Sequence, residues 1–565
     1  MLEQNLIKMY EQSFRDNREM SALTDYFKGE TFSYYEIAKE VAKLHLMFKE
    51  AGIAKGDKIA LIGRNNTRWC ISYIATITYG AIIVPILQDF NPNDVINIIN
   101  HSESKLLFLG DNFWDDIEGD QIPAINAVFS LTDFHVIYEK SGDKLTEYMK
   151  NIMVNYREAY PRGFSIDDIK YPEVANDEVC LLNYTSGTTG SSKGVMLTVN
   201  NLTGNVVFAK CMKNPDSGDN YFRKGARTLS FLPLAHAYGC TFDFLTPLAC
   251  GGHITLLGRI PSPKILVEAM KVTRPTAVCS VPLILEKVYR KSILPMLEKG
   301  PMSIAMRIPL LNTAIYSTIK SKLMEQFGGC IEIFIVGGAA LNPETEDFLR
   351  KIKFPITVGY GMTECAPLIS FQVPQLFKSG SCGAVLEGML EPKIDSRDPQ
   401  NIPGELLVRG EHVMKGYYKN EEATNAVLRD GWLHTGDMCT MDSDRTLYIR
   451  GRCKTMILSG SGQNIYPEEI EERLNNLYMV AESLVIENNG RLTALVVPDY
   501  ELANAEGVNL DNLQEIMDKN LQELNGMVAS YEKVANIVIH REEFVKTPKR
   551  SIKRYLYSAE RLNLN

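Results

Sequence analysis

Apolar positions recur with the two periods of regular structure in the first 110 residues. From TFSYYEIAKE onward, Ile37, Val41, Leu44 and Phe48 fall on one helical face. Ser33 and Glu36 have capping-box spacing at its start, and Gly52 ends it. Short runs then alternate: a strand over residues 58–62, a buried helix over 71–79, a strand over 81–86, a helix from Asn93 and a strand over 105–109. Gly80 and Pro85 interrupt the uncharged stretch between Cys70 and Gln88, and Ser72, Thr76 and Thr78 add polarity, so it reads as buried helix and strand and not as a membrane span. Strands alternating with helices predict parallel βαβ units in a covered sheet.

The same grammar returns later. Residues 331–339 and 354–364 each read as a buried strand delivering a glycine-containing turn, with a helix over 343–351 between them. In open α/β sheets, ligands sit beyond such strand ends. Residues 403–447 carry short strands and turns (GELLVRG, GWLHTGD), predicting a small β-rich lobe. After Gly451 come an acidic helix from Pro467, a hairpin through Asn488-Asn489-Gly490, a helix near Asn512 and the strand VANIVIH. The fold class expected is therefore α/β. A large N-terminal domain of parallel βαβ sheets with a β-rich lobe spans residues 1–450, and a small α+β domain spans 451–565.

Composition narrows the function. The 565 residues are 45% hydrophobic and 23% charged, as in folded globular chains, and the net charge of −9 supplies no basic field for nucleic acid. Eleven cysteines with no CxxC pair suggest neither a disulfide framework nor a structural zinc site, which fits a reducing cytoplasm. The N-terminus distributes charges through every turn and does not read as a signal peptide.

Chemistry concentrates in YTSGTTGSSKG, residues 184–194, a run of small and hydroxyl residues with three glycines after the apolar VCLL. Such a loop can fold backbone N–H groups, hydroxyls and one cation around a triphosphate. It is not a Walker A loop, because Ser191 and Ser192 separate Gly190 from Lys193 and Gly194 follows the lysine.

This loop resembles the phosphate loop of the adenylate-forming superfamily of acyl-CoA synthetases, peptide-synthetase adenylation domains and luciferases. Further motifs appear in the family's order: FLPLAHAYG at 231–239, GGAAL at 337–341, GYGMTE at 359–364, then GELLVRG, GWLHTGD and YIRGRCK. The resemblance implies a nucleotide site made of Thr185, Ser186, Gly187, Thr188, Thr189, Gly190 and Lys193 around the phosphates, with Gly338, Ala339 and Tyr360 around adenine and Gly361 in the metal and phosphate segment. Asp437 and Arg452 would take the ribose, and Thr363 the α-phosphate. Glu364 is the implied Mg²⁺ ligand, because a carboxylate attacking ATP brings two anions together and the site must supply cations and N–H donors. His236 is implied only as a gate beside the acyl channel. Lys454 matches the pivot about which the family's C-terminal domain moves.

Residues 280–291 (SVPLILEKVYRK) and the helical stretch up to FGG at 327–329 resemble the long-chain fatty acyl-CoA synthetases. The implied reaction makes acyl-AMP from a fatty acid and ATP, then acyl-CoA from CoA. Delivery to an acyl carrier protein and peripheral membrane contact stay open. One departure stands out: where the family places its adenylation lysine, this chain reads TPKRSIKR and has Ser551, with Lys549 and Lys553 two residues to either side. Either lysine is a candidate substitute. If neither serves, a non-catalytic acyl or nucleotide sensor on the same scaffold becomes the reading.

Overall fold

Continuous burial, more than alternation, marks the strands of the largest sheet. Lys58–Ile62, Ile82–Ile86 and Ser104–Leu109 are buried at nearly every position, as expected of strands covered on both faces. The computed structural model describes residues 1–185, 192–258, 261–298, 308–458, 463–547 and 551–562. These three strands are parallel neighbours at the centre of an eight-stranded sheet. Its order is Gly416–Tyr417, Lys193–Thr198, Val179–Thr185, Ile82–Ile86, Lys58–Ile62, Ser104–Leu109, Ala127–Ser130, Val136–Glu139.

Helix Tyr34–Glu50 has the Ser33–Glu36 capping box its sequence predicts. Helix Thr67–Tyr79 starts four residues before the apolar run that marks it, because the Asn66 side chain accepts from the Trp69 N–H and so caps a first turn that opens on the polar Thr67 and Arg68. Gly80, at φ +88°, ends it. No helix of the described residues is long and apolar enough to cross a membrane.

A second sheet has seven strands in the order Ile356–Val358, Ile333–Val336, Ala277–Ser280, Arg227–Ser230, His253–Leu256, Ser21–Asp25, Thr31–Ser33. All but the last pairing are parallel. The two glycine-containing turns read from the sequence leave the ends of neighbouring strands here, since Val336 lies opposite Val358 and the Gly359 N–H donates to the Val336 carbonyl at 2.9 Å.

The chain divides into two compact units. One comprises Met1–Thr185, Ser192–Glu391 and Arg409–Gly431; the other holds Pro392–Val408 and Trp432–Asn565. The second unit contains the antiparallel β-rich lobe, with Leu447–Arg452 paired to Trp432–Met441. It also contains a three-stranded sheet of Val480–Asn488, Arg491–Pro498 and Val534–Ile539, packed with helices Pro467–Leu474 and Leu510–Met527 around a core that includes Ile470, Leu474, Val485, Met517 and Ile537. The hairpin turn sits at Asn489 and Gly490, both at positive φ, which explains why that pair could be read from sequence.

Candidate active site

The phosphate-loop motif is the connection of an antiparallel hairpin. Val179–Thr185 pairs with Lys193–Thr198, and Thr185 lies opposite Lys193 across its mouth. This is the structural counterpart of the departure from Walker A, in which a strand would lead through the loop into a helix. Ser186, Gly187, Thr188, Thr189 and Gly190 lie outside the described residues.

Around Lys193 the first unit assembles a group that sequence reading had only in part. The Tyr417 hydroxyl donates to Glu364 Oε1 at 2.8 Å, and the Lys193 ammonium lies 5.0 Å from the Tyr417 ring centroid, within cation–π range. Burial and the adjacent Glu364 charge push the Tyr417 phenol well above its ordinary range, so it stays an O–H donor. Glu364 sits in the short turn Thr363–Cys365, where Thr363 is buried. A half-exposed carboxylate with one oxygen bonded to a phenol and the other without a protein partner among the described residues is a hard-oxygen donor of the kind Mg²⁺ takes alongside phosphates. Tyr417 was not anticipated. Its signal was the Gly-Tyr-Tyr run after VMK, which carries no charge and matches no phosphate motif by itself.

The expected adenine residues are built for close backbone approach. Gly338 has φ +87°, and Gly338 and Ala339 are exposed in the bend after Ile333–Val336. Tyr360 and Gly361 form a two-residue strand against Leu368–Phe371. A Cβ on Gly361 would fall 2.1 Å from the Pro367 carbonyl, so only glycine fits. His236 caps a short turn, its Nδ1 accepting from the Tyr238 N–H at 3.4 Å. A Cβ on Gly337 would lie 3.2 Å from the Tyr238 ring, which ties this segment to the glycine loop.

In the second unit, Arg452 Nε donates to Asp437 Oδ1 at 2.7 Å across paired strands, bringing the two expected ribose residues together. Glu405 holds the strand segment that presents Asp437: His434 Nδ1 is 2.9 Å from one carboxylate oxygen, and the Gly436 N–H donates to the other at 3.1 Å. Glu405 and His434 lie inside motifs already noted (GELLVRG and GWLHTGD), yet neither had been given a role. Lys454 is exposed in the turn after Leu447–Arg452. Ser551 is exposed, its N–H donating to Thr547 Oγ1 at 3.3 Å and its carbonyl accepting from the Thr547 N–H at 2.8 Å. Lys553 is half-buried, with its N–H on the Val545 carbonyl at 2.8 Å. Lys549 lies outside the described residues.

Comparison with known proteins agrees with the family resemblance. Residues 10–418 match the AMP-binding enzyme family. The long-chain-fatty-acid–CoA ligase of Salmonella typhimurium is 27% identical over 495 residues, 83% of this chain and 80% of that protein. The ligase of the same name from Haemophilus influenzae is 27% identical over 509 residues, 86% and 83% of the two chains. Among solved structures, ATP-bound MatB from Rhodopseudomonas palustris superposes with a TM-score of 0.74 at 21% identity, covering 98% of each chain. The anthranilate CoA ligase AuaEII in complex with anthranoyl-AMP gives 0.74 at 19% identity, covering 98% and 96%. These structures share the fold of the chain, and the family match spans most of its length: the protein belongs to the AMP-binding enzymes.

Proposed function

We propose that the chain is an acid–thiol ligase that activates a fatty acid with ATP, forming acyl-AMP and pyrophosphate, and then transfers the acyl group to the CoA thiol with release of AMP. The observation that carries this is the Lys193–Tyr417–Glu364 group at the mouth of the phosphate-loop hairpin. The attacking carboxylate and the α-phosphate are both anionic, so rate comes from positioned cations and donors more than from a strong base. Lys193 offers a fixed positive charge to the phosphates. Glu364 would hold Mg²⁺, which when bound neutralises triphosphate charge. Thr363 would donate to the α-phosphate, and Asp437 and Arg452 would take the ribose hydroxyls. The names of the relatives, long-chain-fatty-acid–CoA ligases, support an apolar acid as substrate.

In this reading the second unit supplies two things in turn. A lysine of the loop bearing Ser551, with Lys553 preferred to Lys549, bridges carboxylate and phosphate during adenylation. Rotation about Lys454 then presents a different surface to CoA.

The test is purified protein with ATP, Mg²⁺, CoA and acids from C2 to C18, read by mass spectrometry beside pyrophosphate exchange. Each added methylene buries about 0.8 kcal/mol, so kcat/KM should rise up to about fourfold per carbon until the channel is full. A panel won by acetate or an amino acid overturns the fatty-acid assignment. An acyl carrier protein replacing CoA as the better acceptor overturns the second step. ATP binding without exchange for any acid supports the sensor reading, which the serine at 551 motivates.

A further inference from the structure

Residues 414–418 form a strap whose hydrogen bonds run to two segments far apart in sequence. The Met414 N–H donates to the Glu364 carbonyl at 2.8 Å, whereas the Lys415 N–H donates to Met196 O at 3.0 Å and the Tyr418 N–H to Gly194 O at 2.8 Å. Gly416 and Tyr417 thus extend the edge of the hairpin strand that begins at Lys193. Gly416, at φ +141°, has no room for a side chain, since a Cβ would meet Thr424 Cγ2 at 2.9 Å. The Tyr417 N–H donates to Thr424 Oγ1 at 2.9 Å, which fixes the backbone from which the ring projects.

We propose that Tyr417 is a positioning residue for adenylation, its hydroxyl orienting the Glu364 carboxylate and its ring seating the Lys193 ammonium so that both meet the magnesium-bound triphosphate in a set geometry. The proposal rests on the roles given above to Lys193 and Glu364. A ring alone would satisfy packing and the cation–π contact, so phenylalanine would suffice if the role were structural. The hydroxyl is the additional element, and its partner among the described residues is Glu364. A free glutamate side chain loses rotamer entropy when a cation fixes it, and a carboxylate already oriented by a donor loses less on binding.

The experiment measures ATP binding by calorimetry with and without Mg²⁺, and the Mg²⁺ dependence of pyrophosphate exchange. Tyr417→Phe keeps the ring and removes the hydroxyl. It should weaken Mg²⁺-dependent ATP binding and raise the half-saturating Mg²⁺ concentration about tenfold, with Mg²⁺-free ATP binding unchanged. Tyr417→Leu removes the ring as well and should weaken Mg²⁺-free binding too. Tyr221→Phe, which deletes a hydroxyl bonded to Gln375 Oε1 at 3.0 Å elsewhere in the first unit, controls for loss of a tyrosyl hydrogen bond and should leave Mg²⁺ dependence alone. Tyr417→Phe with wild-type Mg²⁺ dependence, while Glu364→Gln abolishes it, overturns the positioning role and leaves the site reading standing. If Glu364→Gln also leaves Mg²⁺ dependence intact, the site reading fails and the positioning role falls with it.

Discussion

Glu364 and Lys193 in the first unit are held from several directions, whereas Lys454 and Ser551 of the second sit in exposed turns held mainly by backbone bonds. Glu364 is bonded through its carboxylate to Tyr417 and through its carbonyl to Met414. Lys193 lies in strand register opposite Thr185 and against an aromatic ring. Lys454 and Ser551, by contrast, occupy exposed turns closed by backbone ties between near neighbours. Transition-state electrostatics reward groups that need no reorganisation, while a group used in only one of two half-reactions must be able to leave. The contrast follows the division of labour proposed for the two steps.

The largest effect should come from breaking the held side. Glu364→Ala removes the proposed metal carboxylate and should cut pyrophosphate exchange by about 10²–10³ or more, with circular dichroism unchanged. Exchange at the normal rate in this variant would remove Glu364 from the metal role.

Breaking the side proposed to move should separate the half-reactions. The turn around Lys454 is closed by the Thr455 and Met456 N–H groups on the Arg452 carbonyl, and the Lys454 N–H is not one of the donors that close it, so proline there fixes φ without removing a closing donor, while restricting Cys453 before it. Lys454→Pro should keep pyrophosphate exchange and lose thioester formation. Equal loss of both would place the pivot elsewhere or signal misfolding.

The loop bearing Ser551 sharpens the comparison with a somewhat smaller effect. Lys553→Ala should slow adenylation by about 10² and leave thioester formation from supplied acyl-adenylate intact, while Lys549→Ala changes little. Reversed results assign the role to Lys549. Ser551→Lys switching on an otherwise silent adenylation step would favour the sensor reading.

How much of the fold and the site is legible in the sequence depends on whether the signal is local. The capping box at Ser33 and Glu36, the positive-φ pair Asn489-Gly490 and the helix Pro343–Lys351 are written in neighbouring residues, and the structure has all three where the sequence places them. The start of Thr67–Tyr79 is not legible in that way, because the polar Thr67 and Arg68 separate the Asn66 cap from the apolar pattern. In the site, the ordered motifs name Lys193 and Glu364, but Tyr417 lies 53 residues from Glu364 and meets it only through the pairing of Gly416–Tyr417 with Lys193–Thr198. Glu405 and His434 are likewise joined by strand register, 29 residues apart. Pairings of that kind belong to the sheet, and no local window contains them.

The smallest effect expected concerns the packing beside the loop bearing Ser551. Arg554, directly after Lys553, is salt-bridged to the buried Glu471, and a second carboxylate, Glu468, lies 3.5 Å from the same guanidinium. Burial pushes the Glu471 carboxyl up to about 7, against the opposing pull of Arg554 and the Val485 N–H. An unfolded glutamate titrates near about 4.3, so between there and about 7 the folded unit holds a proton that the unfolded chain releases. The contribution to stability is therefore fully present below the unfolded value, declines as pH rises through that window and is flat above it. Glu471→Gln keeps an acceptor for Val485 and cannot titrate. Thermal unfolding of both proteins from pH 4.5 to 8 should show the wild-type Tm falling relative to Glu471→Gln as pH rises to about 7, and the gap constant beyond. A gap independent of pH would mean that Glu471 is ionised throughout, and that its ion pair with Arg554 outweighs the cost of burying it.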